Sequence, residues 1–256
     1  MLGVINSKDN PKIKYAQKLA KDAKQRREDG VFFATTPKVV MDILRAGFEA
    51  ESLFFVENEY NRFAQELTDC PVYIINDIVS EKLSEDKTSP GVYGVFRMKQ
   101  PDVNRIYSAK KLIVLEDIQD PGNIGAIMRT ALAFGYEDIA VSAKCADIYS
   151  PKVLRSSMTA SVKLNVCRFD DIAQLVKDLS SKGFSTVATC LENSKELGSE
   201  KIGLPVAVLI GNEGNGLSQQ TIDASTHRVK IPMSSEIESL NAAVSAGVMM
   251  WELRGE

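Results

Sequence analysis

Six apolar runs rich in β-branched residues punctuate the second half of the chain: "KLIVLED" (111–117), "DIAVS" (138–142), "LNVCRF" (164–169), "FSTVATCL" (184–191), "PVAVLIG" (205–211) and "HRVKIP" (227–232). Between them lie segments of helical period such as "DIAQLVKDLSSKG". A strand that must cross over a helix before the next strand can pair only in parallel, so consecutive units of this kind build a layered α/β sheet. The C-terminal ends of parallel strands share one edge, and ligands bind there.

Residues 1–104 read as a smaller α/β module, with strands at "VFFA", "SLFFV" and "VYII", helices at "PKVVMDILRAG" and "YNRFAQELTD", and a "KTSPGVYGVFRM" segment. The polar stretch "KQPDVNRIYSAK" is placed as the linker, giving domains 1–104 and 105–256. The net charge of −3 hides an uneven distribution: in the first thirty residues Lys8, Lys12, Lys14, Lys18, Lys21, Lys24, Arg26 and Arg27 oppose only Asp9, Asp22, Glu28 and Asp29. "PKIKYAQKLAKDAKQRREDG" carries these on one amphipathic helix, with Ile13, Ala16, Ala20 and Ala23 at helical spacing and Gly30 as the stop. Such a segment either grips a phosphate-bearing partner or is a solvated helix face.

A composition of 44% hydrophobic and 25% charged residues is that of an ordinary globular chain, and no apolar run reaches membrane-spanning length. The polar start leaves no secretory h-region, so a soluble cytoplasmic protein is expected. Cys70, Cys145, Cys167 and Cys190 are far apart with no C-x-x-C pair, which argues against a zinc cluster or a disulfide framework. The single histidine, His227, leads a strand, so no metal site is expected.

Two glycine loops follow strands. "DPGNIGAI" offers only G-x-x-G where a dinucleotide fingerprint needs G-x-G-x-x-G, and "IGNEGNGLS" lacks the Lys-Ser/Thr of a phosphate-binding P-loop. Glu213 inside the second loop opposes an anionic ligand while suiting a hydroxyl or a cation. A pyrophosphate site, and with it an NAD-dependent oxidoreductase, is disfavoured. What remains are three loops at strand ends, "DPGNIGAIMRTA", "IGNEGNG" and "IPMSSEIESLN", expected to line one cleft.

In order and spacing these loops resemble the three motifs of the SpoU (TrmH-like) family of RNA 2′-O-ribose methyltransferases, within the knotted SPOUT class. The matching residues are Asn123 and Arg129 in the first, Glu213 within Gly-Asn-Glu-Gly-x-Gly in the second, and Ile231-Pro232-Met233 with Ser239-Leu240-Asn241 in the third. The resemblance covers residues 105–256 strongly. Residues 1 to about 100 are more weakly similar to the N-terminal substrate-binding domain of many members, itself similar to a small RNA-binding ribosomal protein.

The resemblance implies a parallel sheet with a C-terminal trefoil knot, S-adenosylmethionine as cofactor, and a homodimer acting on RNA, with rRNA favoured over tRNA. The knot follows from the resemblance alone, since chain-connection rules make knots very rare. It maps cofactor contacts to Gly211, Ile231 and Leu240, the glycine allowing close approach of the cofactor; for Ile231 and Leu240 a plain core role is the alternative. It makes Arg129 the leading catalytic residue, oriented with the ribose by Asn123, Glu213, Ser239 and Asn241. A guanidinium keeps its proton to a pKa above about 12, so clamping a phosphate suits Arg129 better than acting as base. Asn123 and Ser239 also suit helix N-caps. The small-residue helix "SLNAAVSAGVMMWELRG" suits either core packing or a dimer face. Thr35 and Thr36 stand where relatives commonly carry Glu-Gly, and Thr159 where a glycine is frequent, which leaves the RNA recognised open. A non-catalytic RNA-binding protein of the same fold is a competing reading that the intact motifs oppose.

Overall fold

The computed structural model describes every residue except 1, 68–69, 85–87, 235, 238 and 256. In chain order the elements are β1 (Leu2–Ile5), α1 (Pro11–Lys21), α2 (Ala23–Asp29), β2 (Val31–Thr35), α3 (Pro37–Arg45), β3 (Ala50–Phe55), α4 (Glu57–Phe63), β4 (Val72–Ile75), α5 (Asp77–Leu83), β5 (Val92–Arg97) and α6 (Val103–Ile106). There follow β6 (Lys111–Leu115), α7 (Pro121–Ala133), β7 (Asp138–Ser142), α8 (Pro151–Ser156), α9 (Ala160–Lys163), β8 (Asn165–Phe169), α10 (Ile172–Ser181), β9 (Ser185–Thr189), β10 (Lys195–Glu196), β11 (Val206–Ile210), α11 (Gln219–Ala224), β12 (His227–Lys230) and α12 (Ala242–Glu252). The last two residues of the expected helix "YNRFAQELTD" lie outside the described residues. The chain forms two compact units, Met1–Gln100 with Tyr149–Val162, and Pro101–Ile148 with Lys163–Glu256.

The first unit holds a mixed sheet in the order β1-β4-β3-β5-β2, with β5 antiparallel to both β2 and β3. Successive residues of β2 feed opposite cores: Phe32 and Ala34 join the cluster around Val40 and Phe96, while Val31 and Phe33 join the one around Ile13 and Tyr93. The single basic helix expected over 11–29 is two helices. Asp22 takes an extended backbone (φ −111°, ψ 101°) and its carboxylate accepts from the amides of Lys24 and Gln25, ending α1 and starting α2. Ile13, Ala16 and Leu19 are buried, whereas Ala20 and Ala23 are only half-buried. Arg26, counted with the basic face, is buried, its guanidinium donating to the carbonyls of Leu19 and Ala20.

A single boundary at 104/105 does not describe the packing, because residues 149–162 belong with the first unit. The Tyr149 ring lies 4.8 Å from that of Phe32, Leu154 and Val162 enter the same cluster, and Arg155 donates to Thr35 Oγ1 at 3.1 Å. Thr36 (φ 78°) and Thr159 (φ 66°) both hold left-handed backbone, the conformation in which glycine is cheapest; this is the physical sense of the glycine preference at both positions.

The second unit is a wholly parallel sheet in the order β10-β12-β9-β11-β6-β7-β8. All six expected strands are present, joined by the two-residue β10, too short to leave a periodic signal. β11 is sandwiched between β9 and β6 and all five of its residues are buried, which is why "VAVLI" is continuous rather than alternating. The expected linker contains α6, whose Ile106 is fully buried against Leu112 and Leu179 in the core of this unit.

Candidate active site

The loops leaving β9, β11 and β12 and the start of α12 wall one cavity of about 460 Å³ at the C-terminal edge of the sheet, within the range of small-ligand sites. Its shape depends on the 211–217 loop. Asn212 and Gly216 exchange backbone hydrogen bonds of 3.0 and 2.9 Å, and Asn212 Oδ1 accepts from the amides of Gly214 and Asn215 at 3.0 and 3.1 Å. A Cβ on Gly211 would sit 2.1 Å from the Gly216 carbonyl carbon and the Leu217 nitrogen. Gly211 is therefore required by the loop's own backbone, whatever else approaches it.

Hydrogen bonds join the three loops. Asn212 Nδ2 donates to the Asp117 carbonyl at 2.8 Å, tying the loop after β11 to the loop after β6. The Glu213 carboxylate accepts from Asn123 Nδ2 at 3.0 Å and from the amides of Asp120 and Gln119 at 3.2 and 3.3 Å. Asn123 Oδ1 in turn accepts from Asn241 Nδ2 at 2.9 Å. Asn241 caps α12, its Oδ1 accepting from Ala243 and Val244, while the cap of α7 is Asp120, with Asn123 on the first turn. Both the expected N-cap role for Asn123 and that for Ser239 thus pass to neighbours. Partial burial pushes the Glu213 carboxyl up, but the bonds from Asn123 and the surrounding amides prevail and hold it below the ordinary carboxylate value.

Of the residues singled out in the sequence, Gly211, Glu213, Ile231, Ser239 and Leu240 line the cavity. Ile231 and Leu240 are half-buried, not core residues. Asn123 and Asn241 do not line the cavity: Asn123 is bonded to Glu213 and Asn241 to Asn123, so the first of the three expected loops braces the cavity wall without forming part of it. Arg129 lies further along α7, exposed, and its guanidinium forms no hydrogen bond or ion pair among the described residues. No observed contact brings it to Glu213.

Thr189, Cys190 and Leu191 complete the wall, and sequence reasoning passed over them. Thr189 ends β9 and the other two follow it, at a parallel strand end that the same edge rule covers, but they carry no glycine or proline to draw the eye. The support behind Asp117 was equally hidden: its left-handed backbone (φ 57°) is held by Ser142 Oγ, which accepts from the Asp117 amide at 2.8 Å and donates to its Oδ1 at 2.6 Å.

The cavity pairs an apolar wall of Leu217, Ile231 and Leu240 with charges of both signs, the carboxylates of Glu192 and Glu213 and the cations Lys230 and Arg228, the last paired with Asp223 at 2.7 Å. An apolar wall beside carboxylates fits a nucleoside bearing a cationic sulfonium. Among the described residues no group of three or more His, Cys, Asp or Glu could hold a metal ion.

Comparison with known proteins agrees. The chain matches the SpoU rRNA Methylase family over residues 110–251 and an MRM3-like substrate binding domain over residues 10–94. It is 36% identical over 182 residues to a tRNA/rRNA methyltransferase of Synechocystis described as uncharacterized, an alignment spanning 71% of this chain and 66% of the relative. It is 27% identical to the 23S rRNA (guanosine(2553)-2′-O)-methyltransferase RlmP of Bacillus subtilis, over 98% of this chain and 99% of the relative. The crystal structure of an AdoMet-bound rRNA methyltransferase from Sinorhizobium meliloti superposes with a TM-score of 0.87 at 25% identity, covering 99% of this chain and 97% of the other. With the family matched over residues 110–251, more than half of its length, this chain belongs to the SpoU rRNA Methylase family.

Proposed function

We propose that this protein transfers the methyl group of S-adenosylmethionine to a ribose 2′-hydroxyl of RNA, with ribosomal RNA as the substrate class. The observation that carries the reading is the hydrogen-bonded chain Glu213–Asn123–Asn241, which joins three loops distant in sequence at the edge of a cavity fitted to a nucleoside sulfonium. Similarity to RlmP and to the Sinorhizobium rRNA methyltransferase supports ribosomal over transfer RNA.

The cofactor supplies an electrophilic methyl carbon for in-line displacement. Gly211, Ile231 and Leu240 would hold it, and the chain's remaining task is to place the hydroxyl behind that carbon; such positioning recovers roughly 7–11 kcal/mol of barrier. Glu213 is ionised at neutral pH, and its fixed carboxylate sets the orientation of the Asn123 amide. Ser239 at the cavity edge would hydrogen-bond the ribose. Arg129, a permanent cation without a hydrogen-bond or ion-pair partner among the described residues, clamps the phosphate next to the target ribose. The C-terminal trefoil knot that the family resemblance implies belongs to the same reading. So does a homodimer, supported by Val244 and Trp251 of α12, exposed at 52% each. Work in the cytoplasm follows from the RNA substrate, and no described helix is long and apolar enough to cross a membrane.

Labelled S-adenosylmethionine incubated with deproteinised rRNA and, separately, with bulk tRNA tests this. Nuclease digestion should return label in 2′-O-methylnucleosides from rRNA. Label on a base, or in tRNA alone, would overturn the assignment; so would calorimetry showing tight NAD binding with no response to S-adenosylhomocysteine.

A further inference from the structure

The structure redraws the basic segment of the N-terminal unit. Arg26 is withdrawn into the core, Lys24 pairs with Glu28 at 3.7 Å, and the Lys12 ammonium sits 5.3 Å above the Tyr73 ring. What remains on the solvent side of α1 is Lys14, Lys18 and Lys21, at i, i+4 and i+7, opposite the buried Ile13, Ala16 and Leu19. That spacing sets three ammonium groups along one helix face over about 10 Å. The ammonium groups of Lys18 and Lys21 form no hydrogen bond or ion pair among the described residues, and Lys14 reaches only Asp9, at 3.0 Å.

A second element extends the same face. Gln17 Nε2 donates to the Lys82 carbonyl at 2.7 Å, binding the end of α5 to α1. Asp9 is held below its usual carboxylate range by its bond to Lys14 and by the charges of Lys14, Lys8 and Lys82, which places these cations around one point of the surface; Asp22 and Asp29 border the row at Lys18. Lys82 lies far from α1 in sequence, and only the fold brings it there.

We infer that Lys14, Lys18 and Lys21, continued by Lys8 and Lys82, form the track on which the phosphate backbone of the RNA substrate is held. The inference rests on the proposed RNA methyltransferase activity. A row of flexible point charges along one exposed helix face suits a polyanion contacted without base readout.

The test is a K14Q/K18Q/K21Q variant of the full chain, glutamine being close to lysine in helix propensity. The probe is an in vitro transcript of large-subunit rRNA, titrated from low to high salt. Each lost phosphate contact flattens the slope of log K against log salt by about 0.7–0.9, so the variant should lose about 2–3 from that slope and on the order of 100-fold in affinity at 0.15 M salt. S-adenosylhomocysteine binding should be unchanged, and circular dichroism and thermal melts matching wild type show that the N-terminal unit is folded. A control with the same charge change elsewhere, K38Q/K99Q/K195Q, should keep the wild-type slope. An unaltered slope in the first variant, or equal loss in the control, overturns the track while leaving methyl transfer intact. Wild-type protein that neither binds nor methylates RNA removes the function itself.

Discussion

Asn241 performs two separable jobs, and its replacement distinguishes them. Oδ1 caps α12 through Ala243 and Val244 at 2.9 and 3.3 Å, while Nδ2 donates to Asn123 at 2.9 Å and so fixes the amide that holds Glu213. Asn241→Ala removes both. Loss of an N-cap costs about 1 kcal/mol, and the exposed amide–amide bond adds at most about as much again, so the variant should be about 1–2 kcal/mol less stable in denaturant melts. Asn241→Asp keeps an oxygen at the cap, where a carboxylate also favours the helix dipole by about 0.3–1 kcal/mol, so stability should stay within about 0.5 kcal/mol of wild type. That variant has no donor for Asn123 Oδ1, however. Asn123 then has reason to turn its amino group away from Glu213, and displacements near 1 Å at a reacting centre cost on the order of 10²-fold. Both variants should therefore lose about 10–100-fold in kcat for methyl transfer while only the alanine variant loses stability. Wild-type turnover by Asn241→Asp would show that the chain of amides does not position anything.

Arg129→Ala should abolish detectable methylation, a loss of at least about 10²-fold, while the affinity for S-adenosylhomocysteine measured by calorimetry stays within about twofold, because Arg129 does not line the cavity. Gly211→Ala should cost about 3 kcal/mol, since its Cβ meets backbone at 2.1 Å and not a side-chain end that can move; a thermal melt unchanged from wild type would refute the close approach. For Glu213 the folded carboxyl lies below its ordinary value of 4.5, so its contribution to stability is complete above that pH and drains as pH falls through the depressed folded value. Glu213→Gln should accordingly flatten the acid limb of the stability–pH curve as pH falls below the ordinary carboxyl value of 4.5 and leave the neutral region's slope unchanged.

The parallel sheet was legible because its signal is local. Each buried strand is a short apolar run, each crossover a helical pattern, and the edge rule then places "DPGNIGAI", "IGNEGNG" and "IPMSSEIESLN" side by side without any knowledge of distances. The glycine and asparagine positions were legible for the same reason. Residue types that tolerate unusual backbone or bridge loops stand out against apolar surroundings. Period alone could not show where a helix breaks, however. Asp22 has the spacing of a helix interior, yet its carboxylate gains more by capping α2 than by continuing α1.

Tertiary structure alone decided which residues face one another. Composition puts Arg26 among the surface cations and leaves Lys82 unremarked; packing buries the first and carries the second to α1. Residues 149–162 sit inside the stretch of the second domain and yet pack with the first unit, because Tyr149, Leu154 and Val162 find their apolar partners around Phe32. Gly211 could be recognised as constrained, but that its constraint comes from residues 216–217 needed coordinates. Side-chain chemistry and period thus determined the elements and the residue types of the site, since both act within a few positions along the chain. Contacts between elements depend on how whole surfaces fit, so the folded structure decided the cavity's walls, the Glu213–Asn123–Asn241 connection and the course of the lysine track.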